Sequence, residues 1–268
     1  MKIKVGYLQF NPVKGDPDSN IEKVRRFIKS EDFDILVLPE LAFSGYFFES
    51  REEILPFADE NFESPAAIFL KEAAKFKDAL IICGFPEKVG ESLYNSQYAF
   101  FPDGRVIVYR KSHLFYKEKR IFAPGDTGPV IVQFKGVKVG LMVCFDWIFP
   151  EFSRILALKG AHILALSANL VLPGLGQKGM QVRSIENRVF SIVANRVGEE
   201  ISSSGERLNF TGMSHIYDPQ GGILCSSGAE SEEIKVIEID PSLSENKWIT
   251  PLNHIFEDRR KEFYKDLL

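Results

Sequence analysis

The chain has 268 residues, 45% hydrophobic and 26% charged, which is enough for one large domain with a substantial core. Its formal charge of −4, with acids and bases interspersed, argues against a surface for nucleic acid or anionic membrane. No apolar run is long enough to span a bilayer and no export signal follows Met1, while Cys83, Cys144 and Cys225 are widely spaced, so free thiols and a cytoplasmic location are expected.

Lys2–Phe10, rich in Ile, Val, Tyr and Phe, predicts a strand. Ser19 is the predicted cap of a helix whose apolar stripe is Ile21, Val24, Phe27 and Ile28. Asp34–Glu40 (DILVLPE) reads as a short buried strand, Ser64-Pro65 opens a helix to about Lys77, and Ala79–Phe85 is another buried strand. Ser96–Phe101 and Arg105–Arg110 flank Pro102-Asp103-Gly104, a hairpin signal. The order then recurs. Lys138-Val139-Gly140 echoes Lys4-Val5-Gly6 and opens a strand that ends on Cys144. A helix over Glu151–Lys159 closed by Gly160, a strand over His162–Asn169, a helix over Met180–Val189 and a strand over Phe190–Val197 follow. A hairpin around Asp218-Pro219-Gln220-Gly221, a last strand over Glu233–Asp240 and an amphiphilic tail from Trp248 to Leu268 complete the chain. Two halves with one element order predict two similar layers related by a pseudo-twofold. No linker separates them, so a single domain over 1–268 is expected. Strands apolar on both faces need cover on both sides, from helices outside and the other sheet inside.

Chemistry concentrates at three strand ends. Cys144 closes an apolar run and is followed by Asp146 and the helix-opening Pro150-Glu151, a strand-to-helix turn that presents a thiol at a sheet edge. Taken alone it reads better as a packed small hydrophobe. Glu40 ends its strand in PELAFSGY, where partial desolvation would raise its pKa towards that of a general base. Lys111 lies on the same side of its strand as Ile107 and Tyr109. Near a thiol and a carboxylate it would lower the thiol's pKa and stabilise an oxyanion. Each of these two, standing alone, is an ordinary solvent-facing charge. Together they supply base, cation and nucleophile where open α/β sheets build sites. The four histidines are scattered, with no His-x-His, His-Glu-x-x-His or Cys-x-x-Cys pairing, so no metal is expected. His113 is a possible partner of Cys144 but reads better as a hydrogen-bonded loop residue.

PELAFSGY, YRKSHLF and CFDWIFPE, in that order, resemble the nitrilase superfamily of carbon–nitrogen hydrolases across essentially the whole chain, RSIENRVF, ANRVG and EDRRKEFY included. The FYKEK and CFDW runs are similar to those of archaeal thermoactive nitrilase-like proteins. The resemblance implies an α/β four-layer α-β-β-α sandwich, a homodimer or higher homo-oligomer, no cofactor, and a Glu-Lys-Cys triad acting on a small amide or nitrile. It implies that Glu40 is the acid/base, Lys111 the oxyanion cation, Cys144 the nucleophile and the Phe145 N–H a second oxyanion donor. Glu118 matches a fourth, substrate-orienting carboxylate, with a surface acid as the alternative. Tyr46, Tyr116, Trp147 and Asn169 are candidate pocket residues, equally readable as packing. Arg183, Glu186 and Asn195 match positions with structural duties. The expected reaction is hydrolysis of short aliphatic amides or nitriles through an acyl-thioester. Two other readings are an idle interaction scaffold and a glutaminase-type ammonia donor to a synthetase.

Overall fold

The computed structural model describes residues 2–267; Met1 and Leu268, the two ends of the expected domain, lie outside the described residues. Two six-stranded sheets carry the architecture. The strands are β1 (Ile3–Gln9), β2 (Ile35–Val37), β3 (Leu80–Val89), β4 (Ser92–Phe100), β5 (Val106–Arg110), β6 (Ile131–Phe134), β7 (Val137–Val143), β8 (Ile163–Ser167), β9 (Phe190–Ala194), β10 (His215–Tyr217), β11 (Ile223–Ser226) and β12 (Glu233–Ile239). Four helices cover them: α1 (Pro17–Ser30), α2 (Pro65–Lys77), α3 (Pro150–Leu158) and α4 (Leu175–Asn187).

The first sheet runs β12-β1-β2-β3-β4-β5 and the second β11-β10-β9-β8-β7-β6. In each, three strands are parallel (β1, β2, β3 and β7, β8, β9) and the remaining neighbours antiparallel. Helices α1 and α2 join the first trio as α3 and α4 join the second, so the expected pseudo-twofold is present in the topology. Side-chain alternation explains the layering. Val5, Tyr7, Ile35, Val37, Leu80 and Ile82 share one cluster with Val139, Leu141 and Val143 of the other sheet. Leu8, Leu36, Ile81, Cys83 and Phe100 pack instead with Ile21, Val24 and Ile28 of α1 and Phe69 and Leu70 of α2. The result is an α-β-β-α sandwich. No helix among the described residues is long and apolar enough to cross a membrane, and all three cysteines are free.

Local chemistry sets the boundaries. The cap of α1 is Asp16, whose side chain accepts the Ser19 N–H, so Ser19 is inside the helix and Pro17 takes the first position, which needs no N–H. Ser64 caps α2 as expected, and Asp78 ends it at φ 49°. Helix α4 starts at Leu175 rather than Met180, because Gly176 and Gly179 weaken the helical signal of its first turn. Strand β6 was not foreseen. It pairs with β7 across Lys135-Gly136, both at positive φ (44° and 79°), a two-residue hairpin turn without the usual Asn or Asp. Strand β12 leaves the second half and pairs antiparallel with β1, from Ile3↔Ile239 to Gln9↔Glu233. It is not the last strand, since a short pair, Trp248–Thr250 with Asn253–His254, follows it.

Candidate active site

Glu40 follows β2, where the chain stays locked to β3: Leu38 N–H donates to Ile82 O at 2.7 Å and Gly84 N–H to Pro39 O at 3.1 Å. The approach is close enough that a Cβ on Gly84 would lie 2.5 Å from the Glu40 Cα. Lys111 extends β5 by one residue, its N–H donating to Asn95 O at 2.8 Å. Glu118 opens a one-turn helix and is 4% exposed. Cys144 directly follows β7 at φ 40°, a left-handed conformation that is uncommon for non-glycine residues. Asp146 fixes that turn. Its Oδ2 accepts the Val143 N–H at 2.8 Å and the Tyr109 hydroxyl at 2.7 Å, and its Oδ1 lies 2.7 Å from His113 Nδ1. His113 stacks on Phe149 with ring centroids 3.7 Å apart, so it is a loop anchor and not a partner of the thiol.

These segments bring one charge network together. Lys111 Nζ donates to Glu40 Oε1 at 2.7 Å and to Glu118 Oε1 at 2.8 Å, and all three side chains are essentially excluded from water. Asn95 Nδ2 donates to the same Glu40 oxygen at 2.7 Å, while Glu40 Oε2 is buried without a hydrogen-bond partner. Burial pushes the Glu40 carboxyl up to about 7, against the pull of Lys111 and in concert with Glu118. Burial works against the Lys111 ammonium, but Glu118 and Glu40 outweigh it and raise its pKa above the ordinary lysine value. The Cys144 thiol is pushed well above its usual range by burial and then by Glu40, opposed by Lys111 and by the Asn169 N–H. Lys111 lowers the thiol's pKa as expected, but desolvation of the sulfur outweighs it.

The other predicted residues divide. Tyr46 donates its hydroxyl to Glu118 Oε1 at 2.7 Å. Asn169 Nδ2 donates to the Glu40 carbonyl at 2.9 Å. Trp147 and Asn169 line a small cavity with Cys144, Phe145, Phe115, Leu170, Val171, Leu172 and Gly176. Tyr116 does not; it is 58% exposed, and its neighbour Phe115 takes the wall. Arg183 bonds Glu186 at 2.7 Å and the Trp147 carbonyl at 3.1 Å, and Asn195 accepts the Leu170 N–H at 2.8 Å, both structural duties as expected. Asn95 and Asp146 were missed. Asn95 sits mid-strand with no motif around it, whereas Asp146, two residues beyond the thiol, was visible without an assignable role. A groove of about 610 Å³ along α3 and the C-terminal segment contains none of Glu40, Lys111, Glu118 and Cys144, so chemistry and not volume locates the candidate site. Among the described residues no group of three or more His, Cys, Asp or Glu could hold a metal ion.

The family model described as carbon-nitrogen hydrolase matches residues 4–247. A nitrilase of Pyrococcus abyssi (strain GE5 / Orsay) is 43% identical over 98% of this chain and 99% of its own length. A 2-oxoglutaramate amidase of Bacillus subtilis (strain 168) is 34% identical over 98% of this chain and 100% of its own. The crystal structure of a carbon-nitrogen hydrolase from Helicobacter pylori G27 superposes with a TM-score of 0.88 at 29% identity, covering 100% of this chain and 98% of that one. The chain is therefore an enzyme of the carbon–nitrogen hydrolase family, within the nitrilase superfamily.

Proposed function

We propose that the protein hydrolyses short, uncharged aliphatic amides or nitriles through an acyl-thioester on Cys144. The observation that carries the reading is the unpartnered Glu40 Oε2 in a buried network that couples electrostatically to a thiol on a strained turn. As sulfur attacks the substrate carbon, the S–H proton passes to Glu40 Oε2 and a C–S bond forms. Charge leaving the π bond gathers on oxygen, or on nitrogen for a nitrile. Lys111 meets it together with the Phe145 N–H, which lies in the opening turn after β7 where helical N–H groups lack intrahelical partners. Collapse of the tetrahedral amide adduct breaks the C–N bond, and protonated Glu40 gives its proton to departing ammonia. Glu40 then takes a proton from water, hydroxide adds to the thioester, and the C–S bond breaks to release the acid as Glu40 returns its proton to the departing sulfur. A nitrile first adds one water to its thioimidate and loses ammonia from the resulting adduct.

The substrate class rests on the cavity walls. Phe115, Trp147, Leu170, Val171 and Leu172 carry no charge, so nothing there would pair a substrate's carboxylate or ammonium. The 2-oxoglutaramate amidase named above acts, by its name, on a charged amide; this lining argues for a neutral one. Ammonia release across a panel of short nitriles, short aliphatic amides, ω-amides of dicarboxylic acids and N-carbamoyl compounds tests the reading. Highest kcat/KM on neutral compounds is expected, and a clear preference for the charged ω-amides would overturn the substrate class.

A further inference from the structure

Arg196 and Glu200 form an ion pair with no part in the cavity beside Cys144, yet the guanidinium is fully buried and Glu200 is 4% exposed. Burying two charges is expensive unless further hydrogen bonds satisfy them. Besides the pair itself and a bond from Arg196 Nε to the Val197 carbonyl at 3.3 Å, their hydrogen bonds reach two loops of the first half, one after β1 and one after β2. Arg196 also donates to Asn11 Oδ1 at 2.9 Å and to the Pro12 carbonyl at 3.1 Å, and its guanidinium lies 3.9 Å from the Phe210 ring centroid. Glu200 accepts the Tyr46 N–H at 3.0 Å and the Phe47 N–H at 2.6 Å. Gly45, at φ 82°, permits the approach, since a Cβ there would lie 2.7 Å from the Lys14 Cα. The Tyr46 ring stands edge-on to Phe210 at 6.0 Å, and its hydroxyl ends on Glu118 Oε1, the oxygen that also receives Lys111.

We propose that Arg196 and Glu200 are positioning residues for the reaction. Their buried pair clamps the Tyr46–Phe47 backbone, so that the Tyr46 hydroxyl holds Glu118 and Glu118 holds the Lys111 ammonium between the two carboxylates. The proposal rests on the reading of Cys144, Glu40 and Lys111 as the reacting groups.

The test separates positioning from mere stability. Arg196→Met with Glu200→Leu removes both charges at similar volume, an exchange that is often neutral in stability. It leaves the two N–H groups ungripped. The folded double variant is expected to lose about tenfold or more in kcat, with KM for a short amide little changed because neither residue lines the cavity. In a Tyr46→Phe background the same exchange should cost almost nothing further, since its effect runs through that hydroxyl. If the double variant fails to fold, Glu200→Gln, which keeps one acceptor, replaces it in the same cycle. A folded variant with wild-type kcat, or losses that simply multiply with that of Tyr46→Phe, would overturn the clamp. Normal rates in Cys144→Ser would instead overturn the underlying chemistry, so the two failures are distinguishable.

Discussion

At Glu40 two effects oppose one another: burial drives the carboxyl up, while Lys111 and Asn95 hold it down, leaving it at about 7. On the proposed mechanism Glu40 must be ionised to accept the thiol proton, so kcat/KM should rise with pH through an acid limb near 7. A limb near the ordinary glutamate value of about 4.3 would contradict that assignment. Asn95 donates to the charged form, and removing that donor raises the pKa. Asn95→Leu should therefore move the acid limb to higher pH, with a greater loss of activity at pH ~6 than at pH ~8. An unmoved limb would mean that the Asn95 hydrogen bond does not tune the base. Of these groups, Glu40, Lys111 and Cys144 could be picked out in the sequence because each lies at or just past a predicted strand end, in motifs that resemble one family in the same order. Asn95 was not, because a polar residue inside a strand gives no sign of which way it points until the strands are paired.

Strands were read correctly wherever apolar runs met chemically explicit turns, as at Pro102-Asp103-Gly104. They were missed where the turn used unusual residues, as at Lys135-Gly136, or where a short strand was mostly exposed and lacked an apolar run, as in Glu199–Ile201 paired with Arg207–Asn209. That second pair matters because it carries Glu200. The strand-end position of Glu40 depends on Gly84 in the neighbouring β3, where an added methyl would strike the Glu40 backbone. Gly84→Ala should destabilise the fold by about 1–3 kcal/mol through overpacking and reduce kcat by displacing the base. Thermal melting and steady-state rates on the same preparation check both. A variant with unchanged Tm and unchanged kcat would show that the close approach of Gly84 does not set the position of Glu40.

Across the whole molecule the site lies on the seam between the two halves. Glu40, Lys111 and Glu118 come from the first, and Cys144 and Asn169 from the second. Polar contacts tie the sheets near that seam. Gln97 Nε2 donates to Ser167 Oγ at 2.8 Å and to the Ala165 carbonyl at 3.2 Å, and Ser167 Oγ donates to the Leu38 carbonyl at 2.7 Å. Gln97→Ala would leave buried acceptors short of a donor, which costs about 1–3 kcal/mol. Denaturant titration should show a lower midpoint with an unchanged m-value, and an unshifted midpoint would mean that apolar contact alone sets the inter-sheet register. The doubling of the fold was visible in the repeated element order. The return of β12 to β1 was not, because hydrophobic pattern records that a strand is buried but not which sheet receives it.

The account turns on a covalent bond to one sulfur. Acid-quenched mass spectrometry during turnover of a short amide or nitrile measures it directly. The account predicts an acyl mass increment confined to the peptide that contains Cys144, absent from Cys144→Ser, which should release no ammonia. Turnover by the wild-type protein with no adduct under any quench time, together with ammonia release by Cys144→Ser at a wild-type rate, would contradict it.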